Sequence, residues 1–233
     1  MKPEVITFDC AQTLIEVDWR PAALAVECLS ELAIDHDSSL AAGHYDRILR
    51  SRWGRFQELS LQRNEAVLDE FWRELTLDWL TEADLSAELL DPVLEVAREK
   101  LFGPNSTVFK LYDDVVPCLE QLKSAGQRMA IISNWDNSLH RAVEMFDLTK
   151  YFELVIASLE EGVEKPDPRL FEITFERLGV EAGQVLHVGD NPIDDWQGAK
   201  NAGCQALVID RENPQPSDFR LRSLSELPKR LEV

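Results

Sequence analysis

No run in this chain approaches the roughly 20 continuous apolar residues that a membrane-spanning helix needs, so no membrane partner is expected. Positive charge is scarce: 24 lysines and arginines stand against 43 aspartates and glutamates, for a formal net charge of −19. A nucleic-acid partner requires a basic footprint, and this balance excludes one. Cysteine is sparse as well, and Cys10, Cys28, Cys118 and Cys204 lack metal-type spacing. Each lies in or beside an apolar segment, which reads as four free thiols in a reducing cytosol. The first residues lead straight into an apolar strand and leave no room for a signal peptide, so the expected location is cytoplasmic. Lysine is missing altogether between Lys2 and Lys100, and there is no internal repeat or low-complexity segment. With 45% hydrophobic residues, 233 residues can form one large domain or a core with an insertion.

What is present concentrates in four short segments. Val5-Ile6-Thr7-Phe8 reads as a buried strand with Asp9 at its carboxyl end, followed by Cys10-Ala11-Gln12-Thr13. Ala130-Ile131-Ile132 is a second apolar strand, closed by Ser133-Asn134. Glu164-Lys165-Pro166-Asp167-Pro168 puts a lysine in a loop stiffened by two prolines, before a helix over Arg169–Leu178. Val185-Leu186-His187-Val188-Gly189-Asp190 reads as strand and turn, running into the acidic loop Asn191–Asp195 and Gly198-Ala199.

Ligands of open α/β sheets bind at the carboxyl ends of the strands, so these segments can build one site. A phosphoryl group needs a nucleophile, donors for its oxygens and positive charge. Asp9 can attack, the Ser133 hydroxyl and neighbouring N–H groups can donate, and Lys165 supplies a point charge. Asp9 and Asp190 offer oxygen to a hard ion such as Mg²⁺, which keeps several of its waters.

The rest of the pattern divides the chain. Residues 1–16 and 111–233 alternate strand and helix signals, with further strands expected at Glu153–Ala157, Gln205–Asp210 and the edge Phe219–Ser223. Helices are expected over Asp113–Ala125, with Gly126 just past it, and over Asn137–Phe146; Asn213-Pro214-Gln215-Pro216 marks a loop. Repeated strand–helix units imply an α/β fold with a doubly wound parallel sheet. Residues 17–110 show helical periodicity instead. Pro21 opens a helix striped by Leu24, Cys28 and Leu32; Tyr45, Leu49, Phe56 and Leu59 form a second stripe; Leu68, Phe71, Trp72, Leu75 and Trp79 form a third. A fourth helix is expected from about Asp84 to Lys100, with Gly103-Pro104 ending it.

In order and spacing, the four segments resemble motifs I to IV of the haloacid-dehalogenase-like (HAD) phosphohydrolases, and the helical insertion resembles the cap of the capped subfamily. The resemblance implies that Asp9 forms an aspartyl-phosphate and that Lys165 steadies the charge. Ser133, Asn134 and Thr13 would bind the phosphoryl group. Mg²⁺ would be held by Asp9, the Ala11 carbonyl and Asp190, with Asp195 or Asp194 behind them. Such a cap closes over the core and selects a small phosphorylated metabolite. Two cap arginines are candidate anion clamps: Arg52, which falls within an apolar stripe, and Arg20, beside Trp19. The bland alternative for Arg52 is a stem over apolar surface with its head paired to a cap carboxylate. The expected assembly is a monomer or a weak homodimer.

The family's second motif I aspartate, which protonates the leaving oxygen and then activates water, is Ala11 here. Its backbone carbonyl survives, but proton transfer does not, and that is typically worth 10²–10⁴-fold. Phosphonoacetaldehyde hydrolases also carry Ala there but use an early cap lysine, which this chain lacks. Haloacid dehalogenases work without metal and lack the acidic fourth motif, whereas this chain keeps Asp190, Asp194 and Asp195. Two uses therefore remain: a phosphatase favouring leaving groups that need no proton, or a phosphate-binding pseudoenzyme of the same fold.

Overall fold

The structure is a computed structural model describing residues 3–212 and 217–232. The Asn213–Pro216 loop expected from sequence lies outside the described residues. The chain divides into two compact units, Met1–Val17 with Lys110–Val233, and Asp18–Phe109.

The first unit, the core, opens with β1 (Val5–Phe8), all four residues buried, and β2 (Ile15–Val17). The chain returns to it through β3 (Phe109–Leu111), which pairs with β2 in a two-stranded ribbon. Neither strand stands out in the sequence, because three residues alternating apolar and charged are too few to show a period. The intervening unit holds α1 (Pro21–Glu31), α2 (Ser38–Ser60), α3 (Glu65–Glu82) and α4 (Leu90–Phe102).

After β3 the core continues with α5 (Val115–Ser124), β4 (Arg128–Ser133), α6 (Ser138–Met145), β5 (Leu154–Ala157) and α7 (Ser158–Glu161). Next come α8 (Pro168–Leu178), β6 (Val185–Gly189), α9 (Gly198–Asn201), β7 (Gln205–Ile209), β8 (Arg220–Leu221) and α10 (Leu227–Arg230). Gly126, at φ +73°, takes the left-handed conformation that closes α5, which any side chain would strain.

Six strands form one sheet in the order β5-β4-β1-β6-β7-β8, with every pairing parallel. Strands covered on both faces need mostly apolar residues, which is why β1, β4 and β6 read as hydrophobic runs, interrupted in the sheet interior only by Thr7 and His187. From β1 the chain builds outward through β4 to β5, then crosses back to β6 and builds the other way. The direction reverses beside β1, so the crevice where such folds bind ligands opens at its carboxyl end, at Asp9.

Within the helical unit the aromatic residues form the core of the bundle. Phe56, Phe71 and Trp79 are fully buried, and Phe56 packs 5.1 Å from Phe71 and 5.2 Å from Trp72, centroid to centroid. The stripes shift at their ends: Leu29 is buried in α1, while Leu32 and Leu59 are half-buried. The last helix begins six residues later than sequence periodicity suggests. Asp84 turns to φ +56° after α3, Ser86 caps a short 3₁₀ turn at Ala87–Leu89, and only then does α4 start. Pro92 sets that limit, since proline is tolerated only in the first turn of a helix.

Candidate active site

The ends of β1, β4 and β6 and the loop between α7 and α8 converge around Asp9. The β1 register against β4 and β6 brings its end beside Ser133 and Gly189. The Ser133 hydroxyl donates to Asp9 Oδ1 at 2.9 Å, and Lys165 Nζ reaches the same oxygen at 2.6 Å. The ammonium also donates to Asp195 Oδ1 at 2.6 Å and to the Ile132 carbonyl at 2.9 Å, which uses all three of its hydrogens. The side chains of Lys165 and Asp195 are each 2% exposed. Asn134 fixes the lysine's backbone from both sides, accepting from Lys165 N–H at 2.8 Å and donating to Lys165 C=O at 2.9 Å.

Beyond β6 the chain winds through a π-type turn, Pro192–Gln197, in which the side chain of Asn191 caps Ile193 and Asp194. This wide turn folds Asp195 back under the strand, where Asp195 Oδ2 accepts from Asn191 N–H at 2.9 Å. Gly189 makes the room: a Cβ there would sit 2.1 Å from Asp195 Cγ. Oxygens of Asp9, Asp190 and Asp195 then lie within 4.8 Å of one another. Three carboxylates against one ammonium leave two negative charges without a partner. Burial, and next Asp195, push the Asp190 carboxyl up to about 6. Burial also raises Asp9, helped by Asp195 and Asp190 and opposed by Lys165. Burial works against Asp195 too, but Lys165 and His187 prevail and hold it well below the usual carboxylate range. Lys165, despite burial, is held protonated by Asp9 and Asp195.

This donor set fits a divalent cation of the Mg²⁺ type. It is all oxygen, carries the complementary charge, and gathers its oxygens within 4.8 Å of one another, as the hard-cation preference for carboxylate oxygen requires. Asp9 and Asp190 are the direct candidates, because Asp195 already accepts from Lys165, His187 and Asn191.

The model of the family described as haloacid dehalogenase-like hydrolase matches residues 3–203, spanning all four segments of the site. The chain belongs to the haloacid dehalogenase-like hydrolases. As a member of this family, it is a hydrolase enzyme. It is 30% identical to (S)-2-haloacid dehalogenase 1 of Pseudomonas sp., over 96% of this chain and 94% of that protein. It is 31% identical to the phosphoserine phosphatase of Thermus thermophilus, over 80% of this chain and 75% of that one. Among solved structures, the 2-haloacid dehalogenase of Pseudomonas syringae superposes with a TM-score of 0.68 at 25% identity, covering 99% of this chain and 98% of that one.

The other candidates of this HAD-like hydrolase are placed as follows. Thr13 Oγ1 donates to Asp190 Oδ1 at 3.4 Å. Ala11 forms a bridge to Ile15 at the base of the ribbon. Asp194 stays outside the carboxylate group and accepts from Asn191 Nδ2 at 3.0 Å. Ser133 and Asn134, expected from sequence as phosphoryl donors, spend their hydrogen bonds on Asp9 and on the Lys165 backbone. In the helical unit Arg52 pairs with Asp78 and its Nη1 is buried without a partner, while exposed Arg20 pairs with Asp18 at 2.6 Å. For Arg52 this is the paired-carboxylate arrangement.

Sequence reading gave no role to Thr7 or His187. His187 Nε2 lies 3.1 Å from Asp195 Oδ1, and its Nδ1 lies 2.9 Å from Thr7 Oγ1. Burial lowers the imidazole below its ordinary pKa despite Asp195. The available signal was parity: Thr7 and Asp9 stand two apart on one strand, so both side chains leave the same face.

Proposed function

We propose that this hydrolase is a Mg²⁺-dependent phosphatase acting on a small phosphorylated metabolite through an aspartyl-phosphate at Asp9. The observation that carries this reading is the group Asp9, Asp190 and Asp195 around a single Lys165, a site two positive charges short of balance. Bound there by Asp9 and Asp190, Mg²⁺ would neutralise charge on the phosphoryl oxygens. The named phosphatase among the relatives supports the substrate class.

Each residue then has a task. Asp9 Oδ1 is held by Ser133 and Lys165, so Oδ2, which takes no hydrogen bond among the described residues, is the attacking oxygen. It bonds to phosphorus while the bond to the leaving oxygen breaks and the electron pair departs with that oxygen. Lys165 orients the nucleophile and offsets charge as the phosphoryl group arrives. Water then attacks phosphorus, releasing phosphate and restoring Asp9. Ala11 can neither protonate the leaving oxygen nor activate the water, so turnover is slow and favours leaving groups that are stable as anions.

The named dehalogenase relative favours a second reading, displacement of halide from a 2-haloacid by the same Asp9, since halide also departs without a proton. A single screen separates the readings. Purified protein is assayed with and without Mg²⁺ on aryl, acyl and alkyl phosphates and on 2-chloropropionate, beside Asp9→Asn. Mg²⁺-dependent phosphate release that Asp9→Asn abolishes is the expected result. Chloride release without metal would replace phosphatase by dehalogenase, and no Asp9-dependent turnover of any substrate would leave a phosphate-binding pseudoenzyme.

A further inference from the structure

Thr7 and His187 face each other in the β1–β6 register, on a sheet face otherwise packed with Val5, Ala130, Ile132, Val185 and Phe171. The Phe171 ring meets the imidazole edge-on at 5.1 Å between centroids, and both polar side chains are fully buried. A hydroxyl and an imidazole in an apolar layer cost several kcal/mol unless protein groups satisfy them. Here they satisfy each other, and the ring's second nitrogen reaches Asp195. An ionised carboxylate only accepts, so Nε2 must carry the ring hydrogen of the neutral imidazole. Nδ1 then has only a lone pair, and the Thr7 hydroxyl must donate to it.

We propose that His187 is a positioning residue of this site: its Nε2–H tautomer, dictated by the Asp195 carboxylate and supported by the Thr7 hydroxyl, locks the carboxylate that Lys165 uses as its second counter-ion. Asp195 Oδ1 accepts from both Lys165 and His187, and Oδ2 accepts from Asn191 N–H, so three donors fix its plane. Without the imidazole only Lys165 and the Asn191 N–H hold the carboxylate, and its plane is less fixed. The Lys165–Asp195 bond then weakens, and the ammonium's hold on Asp9 Oδ1 loosens. The chain Thr7–His187–Asp195–Lys165–Asp9 thus runs from the middle of the sheet to the nucleophile. Only the kinetic consequence rests on the phosphatase reading.

The test uses the full-length protein labelled with ¹⁵N and assigned through His187 substitutions. In the native chain, His187 Nδ1 should show the shift of an unprotonated ring nitrogen and Nε2 that of a protonated one. The Lys165 ammonium should give a slowly exchanging ¹⁵Nζ resonance. His187→Leu should abolish that resonance, and His187→Gln, which keeps an N–H towards Asp195, should restore it. Thr7→Val, nearly isosteric, leaves Nδ1 without its donor and should loosen the ring and weaken the same signal even if His187→Leu fails to fold. With p-nitrophenyl phosphate and Mg²⁺, kcat should fall roughly 10–100-fold in His187→Leu with KM little changed, the range seen when partners behind a ligand are removed. His187→Gln should recover most of it. A proton on Nδ1 in the native chain, or a folded His187→Leu with the Lys165 signal intact, overturns the proposal. Absence of any Asp9-dependent hydrolysis would overturn the phosphatase reading alone, since the two resonance tests need no turnover.

Discussion

Replacing Lys165 by Met removes the ammonium paired with buried Asp9 and Asp195, beside half-buried Asp190, while nearly preserving side-chain volume. Its two ion pairs, each 2.6 Å long, join side chains that are 2–8% exposed. Breaking a buried pair by deleting one partner costs about 3–5 kcal/mol, because the remaining charge is left in a low-dielectric interior. Here two carboxylates lose their partner, which places Lys165→Met at the upper end, about 5 kcal/mol near pH 8. For a chain of this size 1 kcal/mol moves the melting temperature by about 2–4 °C, so the core transition should fall by about 10–20 °C. The pH dependence has a definite sign. Without Lys165, Asp9 and Asp195 lose the charge that lowers their pKa values, so both rise in the folded state above their unfolded values. A raised carboxylate costs stability where it must ionise and costs less as pH falls and it protonates. The deficit of Lys165→Met relative to the native chain should therefore shrink between pH 8 and pH 5. Millimolar Mg²⁺ should also reduce it at pH 8, as bound cation replaces the lost charge. Paired calorimetric melts of native and variant protein at both pH values are the assay. A deficit below about 1 kcal/mol, or one that does not change with pH, would refute the charge argument.

Asp190→Asn should abolish the rise in melting temperature on titration with Mg²⁺, and an unchanged rise would remove Asp190 from the metal site. Ala11→Asp should raise hydrolysis of an alkyl phosphate by about 10²–10⁴-fold and that of p-nitrophenyl phosphate far less, because nitrophenolate leaves without an acid. Equal native rates on the two esters would mean that another group supplies the proton. Asp114 accepts from Arg211, Ser223 Oγ and Leu224 N–H. Burial tends to raise it, but these partners win and lower its pKa, so its contribution is present at neutral pH and lost as acid protonates it. Asp114→Asn should accordingly destabilise at pH 7 and approach the native stability at low pH in acid melts. Phe56→Ala, which empties the centre of the helical unit, should cost about 3–5 kcal/mol in that unit's denaturant transition.

The strands of the sheet were legible because parallel strands buried on both faces must be mainly apolar, and Val5–Phe8, Ala130–Ile132 and Val185–Val188 are, with Thr7 and His187 as the exceptions. Their polar terminal residues were legible for the same reason, as abrupt ends to apolar runs, and the fold brings Asp9, Ser133, Lys165 and Asp190 to one edge. The role of Asp195 depends on a π-type turn, whose extra width leaves no local mark in sequence. That Ser133 would turn to Asp9, or that Thr7 would meet His187, depends on register between strands, and register is decided by partners far along the chain. The ribbon of β2 and β3 is too short to show a period in sequence, and α4 starts late because Pro92 must sit in its first turn.

The central place of β1 also has a consequence for biosynthesis. This apolar strand is made well before its partners: Asp9 and Ser133 are 124 residues apart, and Thr7 and His187 are 180 apart. At about 5–20 residues per second, roughly 10–40 s pass between synthesis of β1 and synthesis of β6. During that interval Asp18–Phe109, whose contacts are largely local, is complete while Val5–Phe8 still has both ladder edges open. A nascent chain arrested near residue 110 should thus carry a folded helical segment and an unpaired, sticky amino-terminal strand. That strand is where a ribosome-associated chaperone would be expected to bind.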